Sequence, residues 1–181
     1  GNPSEACLYC DYHCPHTTLD DTLTCTVCGC GMEASVTQDS DTRYFWHYCD
    51  AHTYAGNTDA GEAILTLLRD VECDHDQYFK KNVTLDLNGH TVTSAGAGVY
   101  SIIGDVTFTL IDSSSADEKL WGAFELTISA LSVGSESANV VVKSGVCKYV
   151  EIHDGAVITM TGGTVRTLDF FDQIAKASTI S

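Results

Sequence analysis

Basic residues are scarce in this chain. Lys and Arg together number 9 against 25 Asp and Glu, which gives a formal net charge of -16 over 181 residues. No basic surface is available to neutralise phosphates, so nucleic-acid binding is excluded as a main role. An anionic membrane surface is disfavoured for the same reason. Long apolar runs are missing too: none approaches the ~20 residues a membrane helix needs, so no membrane insertion is expected in this segment. Proline occurs twice and glycine 15 times, a balance unlike collagen or a disordered linker. There is no Gly-x-Ser-x-Gly elbow, no His-Glu-x2-His helix and no Gly-Gly-x-Gly-x-Asp calcium repeat.

What is present is apolar enough for a core, with hydrophobic residues at 44%. Thr and Ser are plentiful, which favours strands over helices. The 9 cysteines are unevenly placed: Cys7, Cys10, Cys14, Cys25, Cys28, Cys30 and Cys49 come early, and beyond them stand only Cys73 and Cys147. Residues 1–38 hold few large aliphatic side chains, so apolar burial alone cannot stabilise them. A small Cys/His-rich module, stapled by metal or by disulfides, is expected there. An odd cysteine count would leave one thiol over in a framework made only of disulfides.

The spacing within that module suits a metal. Cys25-Thr26-Val27-Cys28-Gly29 fits a turn that holds two thiolates on one side, with Gly after the second Cys free to take a positive φ. The second pair is either Cys14 with His16 or Cys7 with Cys10, and His13 and Cys30 could serve a second site. Four protein ligands would make the zinc structural, because no position is left open for water. The competing reading is a disulfide knot, suited to an oxidising compartment.

Residues 39–61 read as a helix and a connection that cap a β domain. Phe45, Tyr48, Cys49, His52 and Ala55 recur at spacings of three and four, which predicts a helix over 42–55 that Ser40 or Asp41 caps and Gly56 ends. Tyr44, Trp46 and Tyr48 read as its packing face before they read as a sugar platform. His47, His52, His75 and His153 are isolated and receive no role.

From residue 62 the pattern becomes short strands, expected over 64–71, 82–89, 90–94, 105–113, 123–129, 138–145, 146–152, 156–163 and 164–170. Val83, Leu85 and Leu87 alternate with Thr84 and Asp86, and Val106, Phe108 and Leu110 alternate with Thr107 and Thr109, so one face is buried and one wet. SGVCKYVEIHDG and GGTVRTLDFFDQ align as units. A repeat of this length indicates coils that must stack to bury their apolar side. The expected fold is mainly β: a parallel, right-handed β-helix or solenoid over 62–181, preceded by the zinc-ribbon-like module and one short helix. An antiparallel sandwich is the rival. The last residues, KASTIS, look like half of another coil, so the solenoid is expected to be truncated at the carboxyl end.

At Asn82–Gly89 the chain resembles β-solenoid modules of large surface proteins from gut and oral Gram-positive bacteria. Cys14-Pro15-His16, Cys25-x2-Cys28-Gly29, Leu67-Leu68-Arg69-Asp70-Val71, Asn82–Gly89 and Gly162-Gly163-Thr164 stand in the order such proteins show. The resemblance implies Cys14, His16, Cys25 and Cys28 as the zinc ligands, with Cys7, Cys10, His13 and Cys30 as alternative or second-site ligands. It also implies an extracellular or cell-surface location. The expected role is non-catalytic binding and display, with a host surface glycoprotein, glycan or immunoglobulin as partner. Alternatives are a partial segment of a secreted carbohydrate-active enzyme or protease, and a purely structural stalk. Catalytic carboxylates would have to come from Asp86, Asp105, Asp112, Glu125, Glu151, Asp154 and Asp169, which read first as solvated charges of the outer face. Cys147 is expected to pack inward.

Overall fold

A computed structural model describes residues 18–57, 61–94, 96, 98–115, 117, 120–133, 137–153 and 155–171. The chain divides into two compact units, Gly1–Met32 and Glu33–Ser181. In the first unit, Asp20 anchors a turn: its Oδ1 accepts from the backbone N–H groups of Thr22 at 2.9 Å and Thr24 at 3.0 Å. Two isolated antiparallel bridges, Leu19 with Cys25 and Thr24 with Gly31, fold the segment back on itself.

The second unit is the β-solenoid. It opens with an antiparallel hairpin, β1 (Ala34–Gln38) and β2 (Asp41–Phe45), joined through Asp39, which takes a φ of 53°. Strand β1 also pairs antiparallel with β3 (Ala63–Leu67). Residues 34–38 are thereby drawn into the solenoid, and the amino-terminal unit ends before the boundary expected at 38. The helix is also displaced. Asp41-Thr-Arg-Tyr-Phe45 is a strand, and α1 runs Tyr48–Asn57. The apolar stripe does face inward, with Tyr48, Ala51, His52 and Ala55 buried. The β-branched and aromatic residues ahead of it pair with β1, where cross-strand partners outweigh a weak helical preference.

The coils come next. They comprise β4 (Val71–Glu72), β5 (Gln77–Phe79), β6 (Val83–Asp86), β7 (Val92–Thr93), β8 (Val99–Ile103), β9 (Thr107–Ile111), β10 (Ala123–Leu131), β11 (Asn139–Val142), β12 (Val146–Ile152), β13 (Val157–Met160) and β14 (Thr164–Phe170). One sheet is ordered β13-β11-β9-β6-β3-β1-β2; the other runs β14-β12-β10-β7-β4, with β5 and β8 alongside. Among these coil strands, and between β3 and β6, every pairing is parallel. Successive coils stack in register, which rules out the sandwich.

Register turns the sequence alternation into continuous apolar columns. Leu65, Leu85, Leu110, Val142 and Met160 are matched through the first sheet. Tyr100, Ile128, Val150 and Leu168 are matched through the second. Phe79, Tyr100, Phe108 and Phe124 fill the middle, with ring centroids 4.9 Å apart for Tyr100 and Phe124 and 5.1 Å for Phe79 and Tyr100. Each fully buried side chain of this size is worth roughly 1.5–3 kcal/mol of transfer free energy. The internal repeat is real: Cys147 aligns with Val165, Val150 with Leu168 and Ile152 with Phe170. The tail from 172 onward, where a further half-coil is expected, lies outside the described residues.

Candidate functional site

The amino-terminal knuckle is partly described. Gly29 has a φ of 75° and its N–H donates to the Cys25 carbonyl at 2.8 Å, while the Cys25 N–H donates to the Cys30 carbonyl at 2.7 Å. This backbone fits the turn that a Cys-x2-Cys metal half-site uses, with the positive φ that glycine permits. Cys25 is buried and Cys28 and Cys30 are half-buried. Cys7, Cys10, His13, Cys14 and His16, the other expected ligands, lie outside the described residues.

A second Cys/His group lies in the solenoid unit, at residues to which the sequence alone assigns no ligand role. Cys49 and His52 sit on consecutive turns of α1, and Cys73 stands just after β4 on the first coil. Their ligand-capable atoms all lie within 4.8 Å of one another, so the group could hold a metal. Cys49 and Cys73 form a disulfide, with Cα atoms 6.0 Å apart, which ties α1 to the first coil. His52 Nε2 is 3.7 Å from the Cys73 sulfur. The imidazole is 1% exposed and stacks between Tyr48 and Tyr100, with ring centroids 5.4 Å away on each side. Its Nδ1 has no hydrogen-bond partner. Burial, with a smaller contribution from nearby His75, pushes His52 down to about 4, so the ring is neutral at physiological pH. Above it the Tyr100 hydroxyl donates to the Tyr48 hydroxyl at 2.7 Å. Burial pushes both phenols above their ordinary range. The signal that could have exposed this group is Cys49-x2-His52, since residues three apart share a helical face. Its third member is remote in sequence.

Of the carboxylates weighed for catalysis, Asp105 is exposed, and most of the others fall into two sets. Asp86 points outward by alternation, yet it and Asp112 are buried, at 7% and 6% exposure. Asp86 accepts from the N–H groups of Asn88 and Ser113, each at 3.0 Å, and from the Ser113 hydroxyl at 2.7 Å. Asp112 accepts from the N–H groups of Gly122 at 2.6 Å and Ser114 at 3.0 Å, and from that of Gly89 at 3.2 Å. These two carboxylates hold stacked corners together and are saturated in doing so.

The second set lies on the outer face of β10, β12 and β14. Glu125 pairs with Arg166 at 2.9 Å and Lys148 at 3.8 Å. Tyr149 donates its hydroxyl to Asp169, and that bond, with lesser help from desolvation and neighbouring carboxylates, pushes the phenol up to about 12. Glu151 lies 3.6 Å from His153, whose ring stacks on Phe171. An open recess between Gly98, Leu126, Thr127, Lys148 and Tyr149 adjoins these residues. Asp154 lies outside the described residues. Tyr44 and Tyr48 form no common platform: Tyr44 is an exposed strand residue and Tyr48 is sealed in the core. Cys147 packs inward at 0% exposure, and burial pushes its thiol up to about 12.

No known protein family, curated protein or solved structure matches this chain.

Proposed function

We propose that this chain is a non-catalytic binding and display module of a secreted or wall-attached bacterial protein, with a host glycoprotein or its glycans as partner. One observation carries the reading. The outer face of β10, β12 and β14 aligns Thr127, Tyr149 and Thr167 in one row and Ser129, Glu151 and Asp169 in the next. Adjacent strands stand about 4.8 Å apart, so hydroxyls and an aromatic ring repeat at a fixed interval along a flat surface. Such a row can hydrogen-bond sugar hydroxyls while Tyr149 offers an apolar ring edge. The net charge of -16 disfavours polyanionic ligands. Glu125, Asp169, Asp86 and Asp112 each have hydrogen-bond or ion-pair partners that hold the sheet or its corners together, which weighs against a carboxylate pair poised for glycoside hydrolysis. The disulfide between α1 and the first coil suits an oxidising exterior.

In this reading the amino-terminal unit is clamped by structural zinc on Cys14, His16, Cys25 and Cys28. Zinc quantitation with a thiol count in denaturant separates it from a disulfide knot. The binding reading is tested on a panel of glycans, mucosal glycoproteins and immunoglobulins. Binding that Tyr149→Ala abolishes is the expected result. Silence across the panel would reduce the coil stack to a spacer, and polysaccharide turnover by this chain would overturn the non-catalytic assignment.

A further inference from the structure

A structural disulfide requires no imidazole beside it, and an apolar ring would fill the space between Tyr48 and Tyr100 equally well. His52 is instead buried with Nδ1 unpartnered and Nε2 facing only a sulfur. A disulfide sulfur is a weak hydrogen-bond acceptor, so Nε2 is held only weakly while Nδ1 has no partner. A buried polar group left without a partner calls for an explanation, and a bound ion is one that fits the two sulfurs beside it. The distances agree. Zinc bonded to sulfur near 2.3 Å and to nitrogen near 2.0–2.1 Å in a tetrahedral site sets sulfur and nitrogen about 3.6 Å apart. Nε2 already stands 3.7 Å from the Cys73 sulfur, and all three ligand atoms fit within 4.8 Å.

We infer that Cys49, His52 and Cys73 form a redox-gated metal site: closed as a disulfide when oxidised, and a binding site for zinc when reduced. A dithiol reductant supplies the two electrons. Its thiolate attacks the disulfide, and the reductant leaves as its own cyclic disulfide, with both cysteines now thiols. Zinc then binds both sulfurs and displaces two protons to solvent, and the imidazole nitrogen lone pair completes a third bond. The fourth position is left to water. Cys49 is half-buried, so a reductant reaches the bond from the side of α1. The helix is thus fastened to the first coil by a covalent link in one state and by a metal in the other. The proposed binding role uses outward side chains of β10, β12 and β14, none of them a member of this Cys/His group, so either can fail without the other.

The test uses the full chain, reduced with a phosphine, which does not compete for zinc as a dithiol would. Zinc is added, accessible thiols are alkylated, and modification at each cysteine is read by peptide mass spectrometry. Site-by-site readout separates this group from the amino-terminal cysteines. The expected result is that zinc protects Cys49 and Cys73 at least tenfold in rate, and that His52→Phe loses this protection while its reduced circular dichroism stays β-rich. Equal alkylation with and without zinc would overturn the inference, as would full protection in His52→Phe. If that variant fails to fold, protection in the wild-type chain decides alone.

Discussion

The hydroxyl pair above His52 is the sharpest test of how this core is held. Tyr48 comes from α1 and Tyr100 from β8, both are 0% exposed, and the Tyr100 hydroxyl donates to that of Tyr48 at 2.7 Å. Replacing either by Phe removes one partner and leaves the other hydroxyl buried. The cost is then the desolvation of an orphaned group, about 1–3 kcal/mol. Replacing both removes the polar pair entirely and leaves two aromatic rings of nearly the same shape. The double variant is expected to lose less than the sum of the two singles by about 1 kcal/mol or more, a coupling that a double-mutant cycle reads directly. Urea titration of the oxidised chain, monitored by far-ultraviolet circular dichroism, supplies the four stabilities. Because both phenols are held protonated by burial, the coupling should not change between neutral and mildly alkaline pH. Strict additivity, within about 0.3 kcal/mol, would refute the reasoning.

Phe108→Ala, at 0% exposure in the aromatic centre, should cost about 3–5 kcal/mol in chemical denaturation, with a smaller loss indicating that the neighbours collapse into the space. Gly145→Ala should destabilise by more than about 1 kcal/mol, because the position has a φ of 83° and a Cβ there would stand 2.8 Å from a Leu87 methyl; an unchanged melting temperature would contradict it. Cys147 should resist iodoacetamide at pH 8 in the folded chain and react only in denaturant, since burial keeps its thiol protonated to about 12. Tyr149 is raised rather than lowered, so its phenol form persists until pH climbs through about 12. Asp169→Asn should bring that ionisation back toward its ordinary range, read as a difference in ultraviolet absorbance against Tyr149→Phe.

Much of the solenoid is legible in one dimension. Val83-Leu85-Leu87 and Val106-Phe108-Leu110 alternate cleanly because one side of each strand fills the core and the other, with its Thr and Asp, points away from it. The two final coils align on sequence alone, since Cys147, Val150 and Ile152 and their partners Val165, Leu168 and Phe170 keep one spacing. Elements β5 and β8 are not legible. Gln77–Phe79 is too short to show a period, and Val99–Ile103 comes after a small-residue stretch that suggests a loop. The hairpin at Ala34–Phe45 is obscured by a helical stripe that overlaps its second strand. Local pattern cannot decide there, because pairing with β3 depends on residues far ahead in the chain. Asp86 illustrates the limit for sites: parity places it outward correctly, but only the neighbouring coil, through Ser113, covers it. The Cys49–Cys73 link is hidden for the same reason.

The antiparallel pairing of β1 with β3 gives the stack a polarity. A parallel ladder accepts another turn on either side in principle, but β2 closes one side with Asp41, Arg43 and Tyr44 turned to solvent, a charged border that discourages further strands. Further coils are therefore added more readily on the far side than past β2. Length can vary among such chains, by natural duplication or by engineering, without disturbing the helix or its cysteine tether.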